Sequence, residues 1–234
     1  MADFLPPIDP TDFFPWLKLA SEQLWTTATI DPRIYGFQIQ PGTCWCPGLT
    51  VDEVSCYETS LGFRFPEVYR RFLENMNGTA PAAVNIFGYC GHPHAYFPGY
   101  YSYPRDMKMV RAKIAWIYES FGITAAEVER RRYPHIVPLT EHRFLVADRC
   151  ESNPVLSMYG NDVVQYARSL EAFLVNDIFY GGQSEPDMGT VSVTFWYDTS
   201  DVEGDGSAMW LEYLARRKEE DFGKPGPARE DDNK

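Results

Sequence analysis

The sequence predicts an α+β fold, a mostly antiparallel sheet flanked by helices, with an N-terminal helical addition and a C-terminal strand-helix addition. Three observations predict it. Several segments carry apolar side chains at helical spacing behind recognisable caps. Four short β-prone runs, "HIVPLT", "RFLVADR", "PVLSMYG" and "VVQYA", follow one another with only polar turns between them, as the strands of a meander do. Most helices precede these runs instead of alternating with them, which argues against a doubly wound parallel sheet.

The elements follow in order along the chain. Asp12 is placed to cap a first helix, Pro15 suits its first turn, and Phe13, Trp16, Leu17, Ala20 and Leu24 form its apolar stripe. Thr50 and Glu53 make a capping box before a short helix bearing Val51, Val54, Tyr57 and Leu61. Gly62 then marks a tight turn. Pro66 starts a further helix with Phe65, Tyr69, Phe72, Leu73 and Met76 at helical spacing, and Asn77-Gly78 is read as its left-handed stop. "VNIFGY" predicts a short strand, and the Gly, Pro, Tyr and Phe of residues 90–104 predict an aromatic surface loop. "DMKMVRAKIAWIYESFG" is a helix by its Val110, Ile114, Ile117 and Phe121, with Asp106 as cap, and a second capping box, Thr124 to Glu127, starts another that ends in Arg130, Arg131 and Arg132. After the meander, Ser169 caps the helix "LEAFLVNDIF". "TVSVTFWYD" reads as one further strand, and an acidic loop leads to a helix near 208–219. The predicted divisions are a helical extension over 1–49 packed on a core over 50–180, a strand, loop and helix over 181–220, and a disordered tail over 221–234.

With 234 residues, 44% of them hydrophobic, the chain can bury a substantial core. No apolar run approaches the roughly 20 residues that cross a bilayer, and "MADFLPPIDP" lacks the basic and apolar regions of a secretory signal, so a cytoplasmic location is expected. Five cysteines cannot all pair within one chain, and reduced thiols are expected. A net charge of −12 repels nucleic-acid phosphates and anionic lipid but attracts a basic macromolecule, so a charged partner is expected to be a basic protein, with neither nucleic acid nor membrane bound.

Motifs that carry chemistry are few. "DVEGDGSAMWLE" approaches the calcium-loop pattern through Asp201, Asp205, Gly206 and Glu212, but Glu203 stands where Asp or Asn is required and Ala208 where a larger aliphatic residue is usual. An acidic turn with Ser207 capping the last helix accounts for the same residues. Cys44, Cys46, Cys56, Cys90, His92 and His94 suit zinc by type but not by the C-x-C spacing. No metal and no cofactor are expected. Phosphate-binding, G-x-S-x-G and H-E-x-x-H motifs are missing from the sequence, so it is not read as an enzyme. Tyr96, Phe97, Tyr100 and Tyr101 are typical anchors of a protein interface, and packing against the sheet explains them equally well. The three arginines are a helix end favoured by the macrodipole.

"VDEVSCYETSLGFRFPEVYRRFLENMNGT" resembles the signature of the SUKH superfamily: a short helix ending in Leu-Gly, a Pro-initiated helix with Tyr and Phe-Leu, then Asn-Gly. "VNIFG", "HIVPLTEHRFLVADR" and "PVLSMYGNDVVQYARSLEAFL" resemble its later strands and final helix, so the resemblance spans about residues 50–180. Leu61, Gly62, Pro66, Tyr69, Leu73, Asn77 and Gly78 match the pattern, yet capping, turning or packing explains each, so they identify a scaffold. The resemblance implies an antiparallel sheet flanked by helices and a binding role. Many bacterial members are immunity proteins that neutralise toxin domains; fungal members of the Smi/Knr-like type regulate cell-wall synthesis and signalling. The sequence is therefore read as a non-catalytic protein-binding module, first an immunity protein for a basic, nuclease-like toxin domain. The alternative is a regulator or scaffold for an endogenous protein, and a metal-dependent enzyme is a distant third. The expected contacts are Asp198, Asp201, Glu203 and Asp205 with the aromatic loop.

Overall fold

The computed structural model describes residues 6–31, 37–85, 97–181 and 192–197. Helices α1 (Phe13–Thr26), α2 (Val51–Leu61) and α3 (Glu67–Asn75) come early, with strands β1 (Phe37–Gln38) and β2 (Cys44–Pro47) between the first two. Strands β3 (Met76–Ala80) and β4 (Val84–Asn85) follow, then helices α4 (Met107–Ser120) and α5 (Ala125–Arg131). The meander is β5 (Ile136–Thr140), β6 (Arg143–Val146), β7 (Val155–Tyr159) and β8 (Asp162–Ala167), and α6 (Leu170–Phe179) closes it. All pairings between strands are antiparallel, in a four-stranded sheet ordered β5-β6-β7-β8 and two-stranded pairs β1-β4 and β2-β3. The fold is α+β.

The meander is covered on both faces, which explains why its strands read as continuous apolar runs and not as alternating ones. Val137, Leu139, Leu145, Ala147 and Val155 face α1, α2, α3 and α6 in one core cluster. Their neighbours Ile136, Phe144, Val146, Leu156 and Met158 face α4 and α5 in the other. Successive residues thus enter opposite cores, as the pleat requires. Pro138, which has no N–H to donate, sits on the edge strand β5, where the ladder shifts register before Thr140.

Both capping boxes form. Glu53 N–H donates to Thr50 Oγ1 while Glu53 Oε2 accepts from Thr50 N–H at 2.8 Å, and Thr124 and Glu127 repeat the arrangement. Ser169 Oγ likewise accepts from Ala172 N–H at the start of α6. Gly62 ends α2 in the left-handed conformation at φ +88°.

Four expectations are corrected. The side-chain cap at the first helix is Asp9, which accepts from Thr11 N–H ahead of a 3₁₀ turn over Pro10–Asp12; Asp12 caps nothing with its side chain. The buried residues of α1 are Phe13, Phe14, Leu17, Ala20, Ser21 and Trp25, and Trp16 and Leu24 pack partly buried against the same core, so the expected stripe is present but wider. Asn77 and Gly78 do not stop α3, which ends at Asn75; both lie within β3. Asn77 acts as a surrogate strand there: its amide donates to Tyr103 O at 2.6 Å and accepts from Tyr103 N–H at 2.8 Å. Gly78 is left-handed at φ +69°, and a Cβ there would lie 2.7 Å from the Tyr101 carbonyl and Ser102 Cβ.

The aromatic segment is not a surface loop where it is described. Tyr100 N–H donates to Thr79 Oγ1, Thr79 N–H to Tyr100 O, and Tyr101 N–H to Leu139 O, so residues 99–103 wedge between β3 and β5. The fourth correction concerns "TVSVTFWYD". Its described part, Val193 to Tyr197, is a tight turn closed by one antiparallel bridge, with Trp196 buried and its indole N–H donating to Pro134 O at 2.7 Å. The acidic loop, the helix near 208–219 and the tail lie outside the described residues.

Candidate functional site

The sequence-predicted contacts do not come together as one described surface. Tyr96, Asp198, Asp201, Glu203 and Asp205 lie outside the described residues, as does the calcium-like loop. Phe97 is half-buried and stacks on Phe37 with ring centroids 4.4 Å apart. Tyr100 and Tyr101 are buried, each in a different core cluster, so as described they are packing residues and not exposed anchors. The reason is the pair of backbone ladders that draw residues 99–103 inward. Of the Cys/His set, Cys90, His92 and His94 lie outside the described residues, while Cys44, Cys46 and Cys56 are free thiols. Among the described residues no group of three or more His, Cys, Asp or Glu could hold a metal, and no helix is long and apolar enough to cross a membrane.

A polar cluster surrounds His135. Its ring stacks on Phe63 at 4.4 Å, with Nδ1 2.8 Å from Asp148 Oδ2 and Nε2 2.6 Å from Glu129 Oε1. Arg149 donates to Glu129 Oε2 at 2.9 Å and to Tyr133 O at 2.6 Å. Burial opposes ionisation of Asp148, but the hydrogen bonds from the His135 side chain and backbone outweigh it and hold the carboxyl below its usual range. Glu129 is lowered chiefly by its hydrogen bond from Arg149. These matched donors and acceptors clamp α5 to the end of β6.

The candidate site is a cleft of about 500 Å³ assembled from several separate parts of the chain. The end of α1 supplies Leu24 and Trp25; Phe37, Ile39 and Phe97 form an apolar wall; the β5-β6 turn supplies Thr140, Glu141 and Arg143; and α6 supplies Asp177 and Ile178. Tyr100 lies at its base, and its hydroxyl donates to Asp177 Oδ2 at 2.5 Å. Glu141 occupies the tight hairpin turn at φ +33°, a strained value for a residue with a Cβ.

No family model, curated protein or solved structure matches this chain.

The electrostatics of the cleft therefore speak from its own residues. Burial raises the Asp177 carboxyl above its usual range, against the Tyr100 hydrogen bond and the positive charge of Arg143. Burial also raises Glu141, and Arg143 and Lys113 moderate the shift. Glu141 accepts no hydrogen bond among the described residues, and His142 Nδ1 lies 3.7 Å from its Oε2. Arg143 is otherwise engaged: it donates to Ser157 Oγ at 2.7 Å and lies 3.9 Å over the Tyr166 ring. Glu141, Arg143 and Asp177 escaped the motif search because they belong to no pattern. The available signals were local: charges between two apolar strands in "LTEHRFL", and Asp177, a carboxylate past the first turn of the apolar helix "LEAFLVNDIF".

Proposed function

We propose that this protein is a non-catalytic binding module, and specifically an immunity protein that occludes a basic toxin domain. The observation that carries the reading is the cleft: an aromatic-walled cavity with two partly desolvated carboxylates on a chain of net charge −12. Pockets that combine apolar walls with convergent polar groups of shifted pKa are where ligands and partner side chains dock. The overall charge steers a basic partner toward the surface and speeds its encounter. A nuclease toxin has to present a basic surface to its own substrate, so an acidic protein can cover that surface. The resemblance of residues 50–180 to the SUKH superfamily supports the same reading.

The test is co-expression with the product of the directly adjacent gene, scored by growth and by co-purification. Rescue of growth with a stable complex is the expected result. A neighbour that is harmless alone and fails to bind overturns immunity to that product and leaves an endogenous basic protein, bound in a regulatory or scaffolding role, as the reading to test.

A further inference from the structure

Resting on the protein-binding reading, we propose that the cleft bounded by α1, the β5-β6 turn and α6 is a receptor for an arginine side chain presented by the partner. The reasoning begins with hydrogen-bond satisfaction. Glu141 and Asp177 both line the cleft, and among the described residues the only hydrogen bond their carboxylates accept is the one from the Tyr100 hydroxyl. The Glu141 side chain is 44% exposed, so water meets its carboxylate in the open cleft, and a ligand that supplies N–H groups in place of that water satisfies both acceptors.

The cation already at the site does not fill that need. No Arg143 nitrogen lies within 4.0 Å of a Glu141 or Asp177 carboxylate oxygen, and Arg143 Nη1 donates to Ser157 while the guanidinium lies over the Tyr166 ring. Its Nε is buried with no hydrogen-bond partner and is sealed from any ligand. The polar groups that a visitor can reach are therefore mainly acceptors. Lys113, whose charge also acts on Glu141, stands outside the lining, and on the lining itself Glu141 and Asp177 outnumber Arg143 by one charge. An anionic visitor would meet the wrong sign, and a neutral one would leave that charge uncompensated.

Geometry selects guanidinium among cations. The Phe37 and Phe97 rings, stacked on each other, form one wall of the cleft, and Trp25 lines it nearby. A planar guanidinium stacks on aromatic faces, carries five N–H donors in a fork that suits carboxylates, and is more weakly hydrated than an ammonium. The three methylenes of arginine suit the apolar lining residues Leu24, Ile39 and Ile178. A buried arginine surrounded by aromatic side chains is also a common energetic anchor of protein interfaces.

The test uses the full chain and Nα-acetyl-arginine amide, with the isosteric but uncharged Nα-acetyl-citrulline amide and Nα-acetyl-lysine amide as comparisons, followed by heteronuclear NMR. A lone side chain is expected to saturate with a dissociation constant of about 1–10 mM, shifting signals of Trp25, Tyr100 and Glu141. The citrulline and lysine compounds should bind at least about tenfold and about threefold more weakly, and Glu141→Gln and Asp177→Asn should each weaken the arginine compound about fivefold. Thermal unfolding of both variants confirms that they fold, and Asn retains an oxygen for the Tyr100 hydroxyl. Equal binding of the citrulline compound, tighter binding of the lysine compound, indifference to both substitutions, or no saturable shift up to about 50 mM overturns the proposal. The two readings fail separately. A toxin held as tightly by the doubly substituted chain overturns the arginine receptor and leaves the immunity reading standing. Saturable arginine binding beside a failed co-purification overturns only immunity to the adjacent gene product.

Discussion

Replacing Glu58 tests how the α2-α3 corner is held. Its side chain is buried within α2, only 2% of the residue being exposed. Phe65 N–H donates to Oε1 at 2.9 Å, and Arg64 and Arg70 reach the carboxylate at 2.7 and 3.1 Å. Arg64 is 78% exposed and its pair is screened by water, so it contributes little. Arg70 is 22% exposed, and the Phe65 N–H is interior. Glu58→Ala leaves that N–H without an acceptor, at a cost of about 1–3 kcal/mol, and deprives Arg70 of its partner. Together these losses amount to about 3–4 kcal/mol. Glu58→Gln keeps an oxygen for Phe65 but turns a donor toward Arg70, for a loss of about 1–2 kcal/mol. Urea unfolding at pH 7, followed by circular dichroism with a common slope, measures both. A Glu58→Ala protein within about 1 kcal/mol of wild type, or a Gln variant as unstable as the Ala variant, refutes the reasoning.

Three further outcomes are expected. Gly62 and Gly78 both have positive φ, but a Cβ meets nothing within 4 Å at Gly62 and backbone at 2.7 Å at Gly78; Gly62→Ala should cost about 1 kcal/mol and Gly78→Ala about 3 kcal/mol or more by urea unfolding, and equal losses would contradict the wedge. Ser169→Ala removes the side-chain acceptor at the start of α6 and should cost about 1 kcal/mol in the same assay; no change would show that the cap is solvated equally well without it. Burial, reinforced by Arg143 and Lys113, lowers the His142 imidazole to about 4. The unfolded chain then binds more protons between about pH 6.5 and 4, so stability falls as pH drops through that window. With the side chain 32% exposed, screening reduces this contribution to about 1–2 kcal/mol, and His142→Gln should lose that much less than wild type between pH 7 and 4. Parallel pH profiles would remove His142 from the account. Raised Glu141 and Asp177 act in the opposite sense, their ionisation costing stability as pH rises, and both proteins share them.

The parts of the fold that were legible in the sequence are those in which local chemistry decides the outcome. Thr50 with Glu53, Thr124 with Glu127, Ser169 and Gly62 each mark a helix end through a side chain or a backbone angle within a few residues. The meander was legible because short apolar runs joined by polar turns have few other solutions. What failed was decided at a distance. "GYYSYP" has the composition of a loop, but the partners that draw it inward, Thr79 and Leu139, are 21 and 38 residues away from Tyr100 and Tyr101. Asn77-Gly78 carries a left-handed signal, and the angle at Gly78 is indeed left-handed; what the signal cannot specify is that the chain continues as a strand beyond it. The cleft was invisible because its charged residues come from a hairpin turn and a helix separated by 34 residues, Arg143 to Asp177, and neither forms a motif alone.

The Asn77 and Tyr103 pairing has one more consequence, for how this protein can change over time. Ala83 N–H donates to Phe97 O at 2.8 Å, Thr79 pairs with Tyr100, and Asn77 with Tyr103, so the chain leaving β3 and the chain returning to α4 are fastened together three times. Residues 86–96 are thus bracketed by contacts made outside them, these three and the β1-β4 pair, which do not depend on their own sequence or length. Doubling a loop so closed adds only about 0.6 kcal/mol of closure entropy. Insertions, deletions and wholesale replacement within residues 86–96 can accumulate at little cost to the scaffold. A lineage pressed to follow a changing partner could rewrite that stretch first and leave the two cores untouched.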